Sequence, residues 1–391
     1  LITVAIIAVL MTVVVLAINP TEITKKARDT QRLTDMANLE MLLQLARSEG
    51  MLNTSYCDGT KIYASLPSET PLSNNNLPAG ISWAQVSEDK IRNADGTGWI
   101  PLNFKSLNYL QTSVLPVDPK NSLDNSLYYT FYCNPQREYI LTAYPESQTF
   151  GPKGGKDSKT IGDGGPDPYV YEVGNNLFIS PLKPVGSWSF DEGTGTIAND
   201  SSGNDNNGTL YGGPTWADGQ ANKAISFDGV DDYVNIGIGN DYFPMPKFTL
   251  CSWIKPTEIG SASTVRGIIG VTNGLNLYLQ ANGNLYLGIN TDPSTATSVS
   301  ISYPQNLLDN KYHFVCASYD GTNVNLFIDG SLKKSQAVGW GGTTYWSTRI
   351  ATIGWNNNDS PWKFKGLIDE PRIYSRALSA EEVKRHYEMS K

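Results

Sequence analysis

The first 18 residues are uncharged and almost wholly apolar, and this run constrains the rest of the chain more than any other feature. Between Leu1 and Ile18 the only polar side chains are Thr3 and Thr12. As a helix, the run would span roughly 27 Å at about 1.5 Å per residue, close to the hydrocarbon thickness of a bilayer. Because an apolar surface of this size is not left in water, the run must lie in lipid or be buried against other protein.

An amphipathic segment follows this run. From Ile23 to Ala46, apolar residues recur at steps of three and four, which is the period of a helix with one buried stripe. Pro20 removes one backbone donor, and we expect it to bend the helix without ending it. The sequence therefore predicts one long helix from Leu1 to about Ser48, apolar in its first half and amphipathic in its second.

This arrangement resembles the N-terminal region of type IV pilins and pseudopilins, through AIIAVLMTVVVLAINPTE at 5–22 and KKARDTQRLTDMANL at 25–39. The resemblance implies subunits that are stored in the membrane, are processed by a prepilin peptidase and the pilus assembly machinery, and then pack their apolar half-helices into a filament core. Ala5 stands where the family has a glutamate, so we expect several residues to precede Leu1. The residues implied in polymerisation are Leu1, Ile2, Val4, Ile6, Ile7, Val9, Leu10, Val13, Val14, Leu16, Ile18 and Pro20.

The composition agrees with an exported protein. Charged residues make up only 17% of the chain, while Gly, Asn, Ser, Thr and Tyr are abundant. The net charge of −8 argues against nucleic-acid binding, because phosphate recognition needs a positive footprint. We expect the protein in an extracellular filament at the cell surface, inserted in the cytoplasmic membrane before assembly.

Four cysteines fall into two pairs along the chain. An even count in an exported protein favours disulfide bonds, and we expect one between Cys57 and Cys133. Cys251 and Cys316 lie in strand-like runs, where they either bridge neighbouring strands or are two small buried thiols. The chain has no CxxC motif and only two histidines, which argues against zinc or redox chemistry.

Turn-rich and strand-like stretches divide the chain into three parts. The predicted parts are an N-terminal helix at 1–50, with its apolar segment at 1–18 and its amphipathic half at 19–50, a globular head at 51–181 with a linker-like loop at 151–167, and a third part at 182–391. In the head, runs at 128–132 and 139–144 flank an Asn-Pro pair and predict a hairpin. The predicted fold class is an α+β pilin, with a long N-terminal helix and a small antiparallel-sheet head, followed by an all-β sandwich.

The third part reads as a series of short alternating strands separated by Gly, Asn and Asp turns. This pattern is typical of an all-β sandwich or jelly roll, and Ser379 is placed to cap a C-terminal helix. The blocks WSFDEGTG (188–195), SFDGVDDYV (226–234), FTLCSWIKP (248–256) and GLIDEPRIYSRALS (366–379) resemble the laminin-G-like, concanavalin A-type domain.

This second resemblance implies one structural calcium ion where the first and last strands meet. It places Asp369 there, with oxygens from the Asp191 region and carbonyls from the loop at Gly203 and Asn204. Calcium takes six to eight oxygen ligands, which a loop rich in Asp, Asn and Gly can supply. The alternative is that these residues only shape turns, through side-chain hydrogen bonds and left-handed backbone.

Glycan binding is the functional hypothesis for the sandwich. The stretch WNNNDSPW at 355–362 combines aromatic faces, which stack on sugar rings, with amide and carboxylate groups for hydroxyls. The alternative is that its tryptophans pack in the core or brace loops. The candidate ligand-binding residues are Trp355, Asn356, Asn357, Asp359 and Trp362.

No catalytic site is predicted. Retaining glycosidases need two carboxylates about 5.5 Å apart, whereas Asp369 and Glu370 are adjacent and would point to opposite faces. His313 and His386 have no Ser or Cys partner by pattern. We expect a filament subunit that displays a lectin-like domain for adhesion to glycans or cell surfaces. The alternatives are a pseudopilin of a secretion system, and a sandwich that only sheathes and stiffens the filament.

Overall fold

The computed structural model describes residues 19–110, 112–238, 245–257, 265–271, 274–292, 297–338, 350–354 and 362–391. The chain forms two compact units. The first comprises the residues up to 71 together with 84–179, and the second comprises 72–83 together with 180–391. The predicted limits at 50/51 and 181/182 stay predictions.

The first unit is built on one amphipathic helix, Pro20–Ser48 (α1). Asn19 sets its start, because this residue takes a left-handed conformation (φ 42°) and its side chain accepts a hydrogen bond from the Glu22 N–H. Pro20 fits the first helical position, where no N–H donor is required. The buried stripe of α1 consists of Met36, Leu39, Leu42, Leu43 and Ala46.

The predicted fold class is therefore wrong in its pilin part, whereas its jelly-roll part is confirmed. We expected a helix from Leu1 to about Ser48 that is apolar in its first half and merely bends at Pro20. Instead, Asn19 caps a helix that begins at Pro20, and most of the exposed residues of α1 are polar. Among the described residues, no helix is long and apolar enough to cross a membrane. Apart from Pro20, the predicted polymerisation residues lie outside the described ranges.

Short antiparallel strands complete the first unit. They are Lys61–Ala64 (β1), Thr130–Cys133 (β3), Tyr139–Ala143 (β4) and Tyr171–Gly174 (β5), which lie side by side in that order, while Ser82–Ala84 (β2) falls at the division between the two residue ranges. The predicted hairpin is β3–β4. The predicted disulfide Cys57–Cys133 is present, and it joins the segment after α1 to the end of β3.

Over its described residues, the second unit is a sandwich of two eight-stranded antiparallel sheets. Its strands are Gly186–Ser187 (β6), Ile197–Ala198 (β7), Gly208–Tyr211 (β8), Thr215–Asp218 (β9), Lys223–Asp228 (β10), Tyr233–Ile238 (β11), Phe248–Pro256 (β12), Arg266–Val271 (β13), Leu275–Leu279 (β14), Leu285–Asp292 (β15), Thr297–Tyr303 (β16), His313–Tyr319 (β17), Asn323–Ile328 (β18), Ser331–Ala337 (β19), Ile350–Ile353 (β20) and Lys365–Tyr374 (β21).

The first sheet, called the β12 sheet, has the strand order β19-β18-β17-β12-β21-β10-β9, and β6 pairs with β21. The second sheet, called the β14 sheet, has the strand order β16-β15-β14-β13-β20-β11-β8-β7. Alternate residues of both sheets fill one apolar core between them, as Leu275, Leu277 and Leu279 do from β14. The alternation of apolar and polar residues along the strands therefore correctly predicts a sandwich.

The far side of the β12 sheet carries the C-terminal helix, Ala380–Ser390 (α2). Ser379 and Glu382 form a reciprocal capping box at its start, which confirms the predicted cap. Beneath α2, Cys251 in β12 lies opposite Cys316 in β17, and the two are bonded. The disulfide alternative for this pair is therefore the right one.

Candidate functional site

Three aromatic side chains form a surface on the outer face of the β14 sheet; Tyr278, Tyr286 and Trp362 are called the aromatic surface below. Tyr278 in β14 lies directly opposite Tyr286 in β15, and their ring centroids are 4.7 Å apart. The Trp362 ring centroid lies 5.2 Å from that of Tyr278. Because the residues on either side of both tyrosines point into the core, the rings face outward, and all three are half-buried.

A glycine keeps the space beside these rings open. Gly288 lies two residues after Tyr286 on the same face, and a Cβ at this position would be 3.6 Å from Tyr278 and 3.7 Å from Tyr286. Burial raises the pKa of the Tyr278 hydroxyl, and Tyr286 raises it further. The Tyr278 hydroxyl therefore stays protonated at neutral pH and is able both to donate and to accept hydrogen bonds. Flat rings beside such a hydroxyl suit a ligand with one apolar and one polar edge.

The aromatic surface contains one residue of the predicted glycan-binding set, Trp362. The other four, Trp355, Asn356, Asn357 and Asp359, lie outside the described residues. Sequence reasoning missed Tyr278 and Tyr286. The signal was in the runs LNLYL and LYLG, where a tyrosine occupies the outward position of each strand of a hairpin.

A second aromatic pair, of which Tyr211 is exposed, lies on the same sheet, three strands from β14. Tyr211 in β8 and Tyr233 in β11 are stacked, with ring centroids 5.0 Å apart and planes at 11°. The Tyr211 side chain is 45% exposed. This pair is separate from the aromatic surface and provides a natural comparison for it.

A buried carboxylate lies in the middle of the β12 sheet, at Asp369 in β21. Its Oδ2 accepts hydrogen bonds from the N–H groups of Gln220 (2.8 Å) and Ala221 (2.9 Å). Its Oδ1 is buried and has no hydrogen-bond partner. A Cβ on Gly219 would lie 2.6 Å from Oδ2, so glycine allows this loop to approach the carboxylate closely.

Asp191 binds the same loop from its other end. Its carboxylate accepts hydrogen bonds from the Lys223 N–H at 2.9 Å and from Asn222 Nδ2 at 3.1 Å. Burial raises the pKa of Asp369 to about 8, and the charges of Glu370 and Asp191 contribute to the rise. A buried carboxyl in this position needs either a proton or a cation to offset its charge.

The donor set at Asp369 suits a hard cation. The partnerless Oδ1 of Asp369 and the nearby carboxylate of Asp191 are the oxygen ligands that calcium prefers. Asn204 bonds elsewhere, since its Nδ2 donates to the Val185 carbonyl and its Oδ1 accepts from Lys183. Gly203 has the left-handed backbone (φ 79°) of a turn residue. Of the four predicted calcium residues, the structure thus brings Asp369 and Asp191 to the same loop, residues 219–223. Sequence reasoning missed this loop because it contributes mainly backbone N–H groups.

A further acidic group lies in the turn between β10 and β11. The carboxylate oxygens of Asp228, Asp231 and Asp232 lie within 4.8 Å of one another. The Asp232 carboxylate accepts from the Asp228 N–H at 2.8 Å, and the Asp228 carboxylate accepts from the Val230 N–H at 2.6 Å. Hydrogen bonds of this kind are typical of aspartates that shape a turn and lead into a strand.

Comparison with known proteins bears on the second unit. Residues 228–384 match the family model of the concanavalin A-like lectin/glucanases superfamily. No curated protein sequence matches the chain.

Three solved structures are similar at low identity. They are the binding domain of Paraclostridial Mosquitocidal Protein 1 (16% identity, TM-score 0.45, 52% of each chain covered), the receptor binding domain of botulinum neurotoxin C/D mosaic serotype (18%, 0.44, 53% of this chain and 51% of that one), and Domain 4 of AbnA, an extracellular GH43 arabinanase from Geobacillus stearothermophilus solved with arabinotriose (24%, 0.41, 54% and 98%). The chain spans about half the length of the first two. The two-sheet topology and the family-model match together identify a laminin-G-like, concanavalin A-type jelly-roll domain in the second unit.

Proposed function

We propose that this protein is a non-catalytic carbohydrate-binding protein, and that its jelly roll binds glycans through the aromatic surface. One observation carries the proposal, namely the three neighbouring rings of Tyr278, Tyr286 and Trp362 on the outer face of one sheet. Aromatic faces bury the C–H face of a sugar ring, while hydroxyl groups at their edges exchange hydrogen bonds with the sugar.

A calcium ion at Asp369 and Asp191 would serve this function as a structural ion. It would supply the positive charge that offsets the two carboxylates, and so hold loop 219–223 against β21. The glycan would be bound by Tyr278, Tyr286 and Trp362 on the other sheet, so the ion would act on stability.

We further propose that the chain acts at the cell surface as the subunit of an extracellular filament, after insertion in the cytoplasmic membrane. The uncharged apolar run at 1–18 and its resemblance to filament subunits support this role. A pseudopilin role in a secretion system and a sheathing role without a ligand are the competing assignments.

A glycan array probed with the full-length protein tests the carbohydrate-binding proposal. We expect retention of at least one glycan class. Absence of retention across the array, with protein that shows a cooperative unfolding transition, would contradict the proposal and favour the sheathing role.

Electron microscopy of cells that express the chain tests the filament proposal. We expect long fibres with a regular side decoration that is labelled by antibodies against 182–391. A chain that is found only in membrane fractions of cells competent to assemble filaments would contradict this role.

A further inference from the structure

A buried asparagine lies beside the aromatic surface, on the same face of the β14 sheet. Asn276 comes two residues before Tyr278 in β14, and its neighbours Leu275 and Leu277 point into the core. Its side chain therefore points to the outer face, as that of Tyr278 does. Two such positions on one strand are about 7 Å apart. A sugar that stacks on the Tyr278 ring would therefore bring its substituents to Asn276.

The side-chain amide of Asn276 has unused hydrogen-bonding capacity. The residue is only 7% exposed, and its Oδ1 is buried without a hydrogen-bond partner among the described residues. Its Nδ2 donates to the Gly274 carbonyl at 3.5 Å, which is longer than an ordinary N–H···O bond. Buried polar groups in folded proteins are almost always paired, because an unmade hydrogen bond costs the desolvation of the group. An unpaired acceptor beside the aromatic surface therefore indicates a donor that a ligand supplies.

Glycines lie on both sides of this amide. Gly270 in β13 and Gly288 in β15 are the residues directly opposite Asn276 in the two neighbouring strands. A Cβ on Gly270 would lie 2.1 Å from Asn276 Oδ1, so only glycine permits the present position of the amide. Rotation about χ2 of an asparagine is broad, and neither glycine has a side chain that blocks it. The amide oxygen can therefore turn toward a ligand that lies above Gly288.

The space above Gly288 suits a small apolar group. A Cβ on Gly288 would lie in ordinary contact with the ring edges of Tyr278 and Tyr286, at 3.6 and 3.7 Å. Gly288 is half-buried, and Ser300, its neighbour in the edge strand β16, is exposed. The space is therefore bordered by two aromatic rings and by the Asn276 amide, and it is open toward the edge of the sheet.

An acetamido substituent on a sugar has the groups that this arrangement takes. While the sugar ring stacks on the aromatic surface, the methyl group would occupy the space above Gly288 between the two tyrosine rings. The amide N–H would donate to Asn276 Oδ1, and the amide carbonyl would accept from Nδ2 of the same side chain or from water. A hydroxyl group at the same ring position would donate to Oδ1 as well, but it would leave the apolar space unfilled.

We propose that the aromatic surface recognises sugars that carry an acetamido group, and that Asn276 and Gly288 determine this specificity. The inference rests on the proposed binding of glycans by the aromatic surface. Asn276 supplies the acceptor and the donor for the substituent amide, and Gly288 supplies the space for its methyl group.

Pairs of sugars that differ at one ring position test the proposal. The full-length protein is titrated by NMR with the methyl glycosides of N-acetylglucosamine and glucose, of N-acetylgalactosamine and galactose, and of N-acetylmannosamine and mannose. In at least one pair, we expect the acetylated sugar to bind at least about tenfold more tightly than its partner.

Two variants separate recognition from a structural role. Asn276→Leu removes both polar atoms and keeps a side chain of similar size, so it should abolish the preference and leave the affinity for the parent sugar unchanged. Gly288→Ala fills the apolar space and should weaken the acetylated sugar several-fold more than the parent sugar. Asn325→Leu, on the outer face of the β12 sheet, and Gly162→Ala, where a Cβ meets no close contact, are the matched controls and should keep the preference.

Three results would overturn the specificity assignment. They are a preference that persists in Asn276→Leu and Gly288→Ala, a lower unfolding midpoint of Asn276→Leu with the preference intact, and no preference in any pair by protein that retains a glycan on the array. Protein that binds neither these sugars nor any glycan on the array would instead contradict glycan binding itself.

Discussion

The guanidinium of Arg32 donates to both carboxylate oxygens of Asp118, from Nε at 2.6 Å and from Nη2 at 2.8 Å, and both side chains are buried. The remaining nitrogen, Nη1, donates to Asp29 at 2.7 Å and to Glu146 at 2.9 Å. One cation of α1 therefore connects three carboxylates, two of which come from loops far along the chain. These contacts join the helix to the rest of the first unit more specifically than its apolar stripe does.

Removal of this cation should destabilise the first unit strongly. In Arg32→Ala, Asp118 and Asp29 keep their backbone N–H donors but lose their buried cation, and breaking a buried ion pair in this way costs about 3–5 kcal/mol. Native-state hydrogen exchange of the α1 amides measures the change. Arg47→Ala is the control, because Arg47 is exposed in the last turn of α1 and should cost less than about 1 kcal/mol. Equal protection in both variants would show that the Arg32 contacts do not hold the helix.

The two histidines should shift stability with pH in opposite directions. His313 lies between two carboxylates, with Nδ1 3.0 Å from Asp329 and Nε2 3.1 Å from Asp309. The hydrogen bond to Asp329 is the main cause that raises the pKa of His313. Its stabilising contribution is therefore complete below the unfolded pKa of about 6.5 and is lost as the pH rises through the higher folded pKa. Burial instead lowers the pKa of His386, so its protonation in the unfolded chain destabilises the fold at acidic pH.

Denaturant unfolding between about pH 5.5 and 8 checks this pair. In His313→Gln, the contribution of His313 is lost while those of His386 and Asp369 stay, so on acidification the stability of the second unit should rise less, or fall more, than in the wild type. Asp329→Asn should act in the same direction. A variant with the wild-type pH profile would exclude His313 as a titrating group of the fold.

Calcium should stabilise the second unit through Asp369. At a concentration about 100-fold above its dissociation constant, one bound ion adds about 2.7 kcal/mol, which appears as a higher melting temperature that a chelator reverses. Asp369→Asn keeps an acceptor for the loop N–H groups but removes the charge, and should abolish the calcium effect. Asp228→Asn in the acidic turn is the matched control and should retain it. A calcium effect that is lost in the control alone would place the ion in that turn instead.

The sequence predicted the sandwich because alternation of apolar and polar residues is a local signal. Runs such as LNLYL and FTLCSWI show which residues face the core without any knowledge of their partners. The start of α1 could not be predicted in the same way. An Asn-Pro pair before an amphipathic run fits either a kinked helix or a capped one, and the left-handed backbone of Asn19 decides between them.

The candidate sites were less visible because they depend on strand register. Tyr278 and Tyr286 meet only because β14 and β15 pair with these two residues opposite each other. Trp362 reaches them from a distant part of the chain. Loop 219–223 contributes backbone N–H groups to Asp369, and such donors have no residue signature. Sequence reasoning therefore named Asp369, Asp191 and Trp362 as candidates, but not the residues that surround them.

Titration calorimetry with the glycan that the array selects tests glycan binding by the aromatic surface most directly. Full-length wild type is compared with Tyr278→Ala and Trp362→Ala, and with Tyr211→Ala, which alters the exposed tyrosine of the second pair on the same sheet. We predict at least a tenfold weaker affinity, about 1.4 kcal/mol, for each variant of the aromatic surface, and unchanged affinity for Tyr211→Ala. Unchanged affinity in Tyr278→Ala and Trp362→Ala, in protein that unfolds like the wild type, would contradict glycan binding at this surface.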